Sequence, residues 1–143
     1  MPALGVSVAL PMARGVKYAL GPELLSNGGF DTDTVWVKGT GWTIASGVGT
    51  ATVPAVNSLL SQAISLTAGS LYLLTYTVTS YTAGLLTPRF TNAGATVNNF
   101  TGAVAVGTYS QYLTLTGAAD ALSFNANASG SFSIDNVSLK KIL

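Results

Sequence analysis

The sequence contains no cysteine and no histidine, and only 8% of its 143 residues are charged. An average soluble domain is about 25% charged. Without thiols or imidazoles the chain forms no disulfide, no thiolate or imidazole zinc site, no cysteine nucleophile and no Ser-His-Asp relay. Its net charge of +1 also lacks the basic footprint that nucleic-acid binding requires. We therefore expect no nucleic-acid partner.

Long apolar runs are missing as well. The first apolar run begins at Ala3 and ends at Leu10, whereas a membrane-crossing helix needs about 18 apolar residues. No basic segment precedes this run, as it would in a signal peptide. The hydrophobic fraction of 48% argues against disorder. These features predict one globular domain with no membrane partner.

With so little charge, Thr, Ser, Asn and Gly must cover most of the surface. No charged residue occurs between Lys38 and Arg89. A surface this neutral favours self-association, which indicates a protein that works inside a larger assembly. The alternative is a secreted β-protein, since many of these are also rich in Thr and Ser.

Residues 1–22 differ in composition from the rest of the chain. Their prolines and glycines discourage a helix; the prolines are Pro2, Pro11 and Pro22. We interpret residues 1–22 as an extended arm that docks on another protein, and residues 23–143 as the domain. A retained signal peptide and a first strand of the domain are the alternatives.

The body of the chain shows the alternation of β-strands. In residues 71–80, apolar side chains occupy one face and threonines the other. In residues 121–128, Leu122 and Phe124 are expected to point inward, and Ser123 and Asn125 to solvent. Further candidate strands are residues 42–46, 49–53, 58–66, 86–91, 95–100, 109–116 and 132–139. Such spacing is typical of an all-β sandwich or barrel, and no window has a helical period.

The last strand contains an irregularity. Its apolar residues are Phe132 and Ile134, then Val137 and Leu139, so the alternation slips by one residue at Asp135 and Asn136. A β-bulge produces such a slip. A strand that crosses between two sheets at a corner is the alternative.

Four segments share a recognisable pattern in the same order along the chain. They read ELLSNGGFD (residues 23–31), GWTI (41–44), LSQAISLTAGSLYLLTY (60–76) and FSIDNVSL (132–139). Together they resemble the conserved segments of family 4/9/22-type carbohydrate-binding modules. The resemblance covers residues 23–143 and implies an all-β fold, a two-sheet antiparallel jelly-roll β-sandwich.

The resemblance also implies a mode of sugar binding. In sugar-binding members, aromatic rings on the concave face of one sheet stack on pyranose rings. The candidate stacking residues here are Trp36, Tyr81 and Tyr112, whereas Trp42 and Tyr109 are expected in the core.

A structural calcium is a further implication of the resemblance, although no cofactor is required for binding. In many members the ion lies between the first and last strands, and its carboxylate ligands correspond to Asp31 and Asp135. The alternative is that Asp31 caps a turn with Asp33, and that Asp135 forms Asx-type hydrogen bonds within its own bulge.

The same pattern recurs in small virion proteins of tailed phages. This implies a capsid decoration protein at the particle surface. Residues 1–22 would dock it on a major capsid or tail protein. The chain would form a homo-oligomer, which on a capsid would be a trimer. The alternative is a glycan-binding module for host-surface adhesion, carried on tail or capsid, or a secreted extracellular protein. Catalysis is not expected, because glycoside hydrolysis needs two positioned carboxylates and the five acidic residues lie mostly in turns and strand ends.

Overall fold

The computed structural model describes residues 18–52 and 57–143, and within these ranges the chain is built of β-strands and turns without a helix. No membrane-spanning helix is therefore present in this part of the chain. The strands are β1 (Leu20–Glu23), β2 (Val37–Lys38), β3 (Trp42–Ala45), β4 (Val48–Thr52), β5 (Ser58–Ala63), β6 (Leu71–Ala83), β7 (Leu86–Asn92), β8 (Ala95–Asn99), β9 (Gly107–Thr114), β10 (Ala121–Ala126) and β11 (Ser131–Ile142).

The strands form two sheets with antiparallel pairing throughout. The first sheet has the order β3-β4-β11-β6-β9, and β1 pairs with β11 beside it. The second sheet has the order β2-β5-β10-β7-β8. This confirms the predicted two-sheet antiparallel sandwich.

The core lies between the two sheets. On β6 of the first sheet, the inward side chains are Tyr72, Leu74, Tyr76 and Val78. They meet rings of the second sheet: Tyr76 packs edge-on against Phe124, with ring centroids 5.4 Å apart. Each buried side chain of this size contributes about 1.5–3 kcal/mol relative to an exposed one, so the inter-sheet contacts are the main source of stability.

The alternation located nine of the strands, to within a few residues at their ends, but not β1 or β2. β1 contains Gly21 and Pro22, and β2 has only two residues, so neither shows a periodic pattern. β1 pairs with the end of β11, and the N–H of Leu143 donates to the carbonyl of Ala19 at 2.9 Å. Residues 20–22, predicted to belong to the arm, are thus part of the sandwich. Residues 1–17 lie outside the described ranges.

The slip in the last strand is a β-bulge. The register between β11 and β6 shifts between Asp135 and Ser138, and Asn136 has a φ of 53°. The Oδ1 atom of Asp135 accepts a hydrogen bond from the N–H of Asn136 at 2.7 Å. β11 stays in the first sheet on both sides of this point, so the corner alternative is wrong.

The two ends of the domain are joined next to this bulge. The N–H of Val137 donates to the carbonyl of Gly28 at 2.9 Å, and a Cβ at Gly28 would overlap with the Val137 carbonyl oxygen. The Glu23 carboxylate accepts from the N–H of Leu139 at 2.8 Å and bonds the hydroxyl of Ser138. Hydrogen bonds to an ionised group are roughly twice as strong as neutral ones, so Glu23 fastens β1 to the closing strand.

We predict that Glu23→Ala lowers the free energy of unfolding by about 1–3 kcal/mol, because the N–H of Leu139 loses a charged acceptor. Urea denaturation measures this loss. Asp33→Ala is the control: it removes an exposed ion pair with Lys38, and such pairs contribute about 1 kcal/mol or less. Equal losses in the two variants would contradict the role given to Glu23.

Candidate functional site

Trp36, the first candidate stacking residue, lies in the core. Its side chain is only 5% exposed. The ring packs against Phe30 and Phe124, with centroid distances of 5.3 and 6.1 Å. Its Nε1–H donates to the carbonyl of Asn27 at 2.9 Å. A ring held in this way cannot stack on a sugar. Trp36 is therefore a core residue and not the stacking residue that the resemblance implied.

The other two candidate rings lie at opposite ends of the first sheet. Tyr81 is half-buried, stacks on Phe132 and donates its hydroxyl to the carbonyl of Gly84 at 2.6 Å. Tyr112 points outward from β9, opposite Leu73, and packs against Tyr18 with centroids 5.1 Å apart. Eight residues of β6 separate the two positions, a distance of about 26 Å. The candidate rings therefore do not form one binding surface.

The two aromatic residues expected in the core are there. Trp42 is buried, with its Nε1–H donating to the carbonyl of Ser58 at 3.2 Å. Tyr109 is partly buried on the core side of β9, where it stacks on Tyr76 with centroids 5.3 Å apart. Both predictions are confirmed.

A different surface stands out on the second sheet. Side chains that alternate with the core residues of β5, β10, β7 and β8 point away from the sandwich, and we call this surface the polar face. Its polar members are Ser61, Thr87, Arg89, Thr91, Thr96, Asn99, Ser123 and Asn125, and the apolar Leu59, Ala63 and Ala121 lie on the same side of the sheet. On the central strand, Ser123 is 1% exposed and Asn125 is 5% exposed. They do face away from the core as predicted, but neighbouring side chains cover them, so they are not freely exposed.

Hydroxyl groups order the middle of the polar face. The Ser123 hydroxyl lies 2.8 Å from that of Ser61 on β5 and 2.9 Å from that of Thr91 on β7. The three groups form a hydrogen-bonded chain across three neighbouring strands. This chain fixes the rotamers of buried polar side chains before any ligand arrives.

Arg89 supplies the charge on the polar face. It lies opposite Ser123 on one side and Asn99 on the other. Its NH1 group donates to the hydroxyl of Thr96 at 3.0 Å, whereas its Nε atom is buried without a hydrogen-bond partner. Burial lowers the pKa of Arg89, although a guanidinium remains charged at neutral pH. The signal in the sequence was its isolation, since Arg89 is the one charged residue between Lys38 and Asp120.

A cavity of about 350 Å³ opens beside β9, next to the chain that joins β8 to β9. Its lining residues are Leu74, Tyr76, Thr101, Gly102, Tyr109, Ser110 and Gln111. The Oε1 atom of Gln111 accepts from the N–H of Thr101 at 2.7 Å, which holds this connection against β9. The Tyr76 hydroxyl is buried without a hydrogen-bond partner, and desolvation, with a contribution from Tyr109, raises the pKa of Tyr76.

The expected calcium ligands lie on segments that meet at the Gly28–Val137 hydrogen bond. Asp31 is exposed, and Asp135 is half-buried and bonded to its own bulge. In the described part of the chain, no three acidic side chains come together as a metal-binding group. Calcium takes six to eight oxygens, so backbone carbonyls would have to supply most of them. The calcium site at Asp31 and Asp135 stays a prediction.

Comparison with known proteins gives matches in structure and none in sequence. No protein-family model matches the chain, and no curated protein sequence matches it.

Three solved structures resemble the sandwich. One is the enzymatically active domain of tailspike protein 4 of bacteriophage CBA120, with a TM-score of 0.59 and 21% identity over 84% of this chain. The chain spans only 21% of the length of that tailspike chain.

The other two are carbohydrate-binding modules matched over nearly their whole length. A family 4 module has a TM-score of 0.61 and 12% identity, covering 81% of this chain and 98% of its own. A family 61 module in complex with β-1,4-galactotriose has a TM-score of 0.52 and 15% identity, covering 83% and 98%. At these identities the likeness shows the fold alone: the chain has the jelly-roll sandwich of carbohydrate-binding modules.

Proposed function

We propose that this chain is a non-catalytic carbohydrate-binding module that holds a glycan against the polar face. The observation that carries the proposal is the polar face itself, where most of the outward side chains around β10 are hydroxyl, amide and guanidinium groups. A surface with these groups can offer a sugar both donors and acceptors. The resemblance of four sequence segments to family 4/9/22-type modules supports the same function.

The hydroxyl chain makes this face suitable for recognition. Ser61, Ser123 and Thr91 are already bonded to one another, so their side chains lose little rotational freedom when a ligand binds. Binding to a pre-ordered site avoids much of the entropy cost of ordering side chains. Thr87, which is half-buried and lies opposite Asn125 in the register of β10 and β7, can contact the ligand directly.

The acidic residues support a non-catalytic role. A glycosidase places two carboxyl groups on either side of the scissile bond. Here four of the five carboxylates bind groups of the chain itself, at four separate places: Glu23 at Leu139, Asp33 at Lys38, Asp120 at Ala93 and Asp135 at Asn136. None of these four carboxylates lies on the polar face. None of them can therefore act as a general acid or base on a sugar bound there.

We predict that Thr87→Ala weakens glycan binding about 2- to 10-fold, the effect of losing one neutral hydrogen bond. Affinity gel electrophoresis against a panel of neutral and acidic polysaccharides measures the change in retardation. Thr77→Ala is the matched control, because Thr77 is also a half-buried threonine but lies on the outward side of the first sheet. Equal effects of the two substitutions would contradict the site, and no retardation of the parent chain by any polysaccharide would contradict the function.

The second candidate is attachment to a phage particle, as the sequence predicted for residues 1–22. An exposed apolar patch where the described chain begins supports it: Leu20 is 44% exposed and Leu143 is 78% exposed. Gly21 lies against Leu143, so the two leucines are near neighbours. The likeness to part of a tailspike supports a module of a virion, with location on capsid or tail and trimeric assembly as parts of the proposal. Attachment and glycan binding can coexist, because they use different surfaces.

We predict that a chain without residues 1–17 keeps its melting temperature but no longer sediments with virions, because β1 and its pairing with β11 remain intact. Leu20→Ser is expected to weaken sedimentation as well, through loss of apolar contact. Val106→Ser is the control, since Val106 is exposed at the opposite end of β9 from Tyr112. Full sedimentation of the shortened chain would contradict attachment through the arm.

A further inference from the structure

The polar face carries a single charge. Among the residues that form it, Arg89 is the one ionisable side chain, and none of its paired positions is acidic. The nearest cation along this sheet, Lys38 on β2, is paired with Asp33. Arg89 is therefore a cation whose counter-ion is not supplied by the residues of its own face.

The guanidinium of Arg89 is anchored beside Thr96, to whose hydroxyl its NH1 group donates at 3.0 Å. Its Nε–H is enclosed by the protein without an acceptor among the described residues, so the terminal NH groups are the ones that can meet a ligand. The partial removal of water around a cation strengthens its attraction to an approaching anion. A guanidinium also matches the geometry of an oxyanion, with which it forms two parallel hydrogen bonds.

The polar face also lacks the groups that hold neutral sugars by stacking. Its described members are hydroxyl, amide and guanidinium side chains with Leu59 and two alanines beside them, and none of them is an aromatic ring. The rings of Trp36, Tyr81 and Tyr112 lie in the core or on the first sheet. Ligand recognition on this face must come from hydrogen bonds and from the charge of Arg89.

From these observations we infer that the polar face recognises an acidic glycan, and that Arg89 pairs with an oxyanion on the sugar. The oxyanion is a uronic acid carboxylate or a sulfate ester, which present the same charge and acceptor atoms. Asn99, the exposed cross-strand neighbour of Arg89 on β8, lies where its amide can bond an adjacent sugar hydroxyl. This inference rests on the proposed function and specifies its substrate class.

The test uses the full chain in affinity gels that contain polygalacturonate, alginate, a sulfated galactan or a neutral galactan. The sharpest comparison is polygalacturonate against its methyl ester, which has the same backbone but no charge. We expect retardation by at least one acidic polysaccharide, weakened by added salt. Where polygalacturonate is bound, its methyl ester is expected not to be. Retardation by the sulfated galactan alone would assign the oxyanion to sulfate.

Variants locate the effect on Arg89. Arg89→Gln is expected to reduce acidic-glycan affinity at least 10-fold, and Arg89→Lys to reduce it less, because lysine keeps the charge but not the planar fork. Lys38→Gln, which removes a cation outside the polar face, is expected to leave the affinity unchanged. Melting curves confirm that each variant is folded, and if Arg89→Gln does not fold, the methyl-ester comparison and Arg89→Lys carry the test.

The outcomes separate this inference from the function on which it rests. Retardation of the parent chain by the neutral galactan and by no acidic polysaccharide would overturn the inference and leave glycan binding standing. Equal losses in Arg89→Gln and Lys38→Gln would also overturn it, because they would mean non-specific attraction to net charge. No retardation by any polysaccharide would overturn both.

Discussion

The arrangement of the second sheet depends on β10, which is paired along all six of its residues with β5 on one side and with β7 on the other. A strand in this position is enclosed on both edges, so on each face its side chains are flanked by those of two neighbouring strands. Leu122, Phe124 and Ala126 fill the inner face. The outer face holds Ser123 and Asn125, which are polar and buried by their neighbours, and buried polar groups must be hydrogen-bonded.

The composition of the chain agrees with this constraint. Burial of Ser123 is tolerated because neighbouring strands provide the hydroxyls of Ser61 and Thr91 as partners. A larger side chain at position 123 would occupy the space between Ser61 and Arg89, its neighbours in register. The same small residues therefore let the three strands form a continuous polar surface, and Arg89 extends it to β8 by donating to Thr96.

The fold could be predicted largely from the sequence because alternation directly reports which side of a strand is buried. It located nine strands, and the slip at Asp135 and Asn136 located the bulge. β1 escaped prediction because Gly21 and Pro22 give no periodic pattern, and its place is fixed by pairing with the distant end of β11.

The site was less predictable, because alternation indicates the direction of a side chain but not its depth. Ser123 and Asn125 do face outward, yet their burial depends on strands that are distant in sequence. Trp36 precedes a two-residue strand, and only its contacts with Phe30 and Phe124 reveal that it belongs to the core. Arg89 did leave a signal, as an isolated charge in a neutral stretch, but its meaning depends on the face to which it belongs.

The proposed site would recognise sugars by hydrogen bonds and one charge, without stacking rings, and this has a physical consequence for its affinity. Each neutral hydrogen bond contributes only about 0.5–1.5 kcal/mol after water is displaced, so one copy of such a module binds weakly and selectively. Many copies on one particle would bind a polymeric glycan far more tightly, because every contact after the first is made at high effective concentration. Assembly through the arm and glycan binding through the polar face would then reinforce each other, since the first supplies the valency that the second requires.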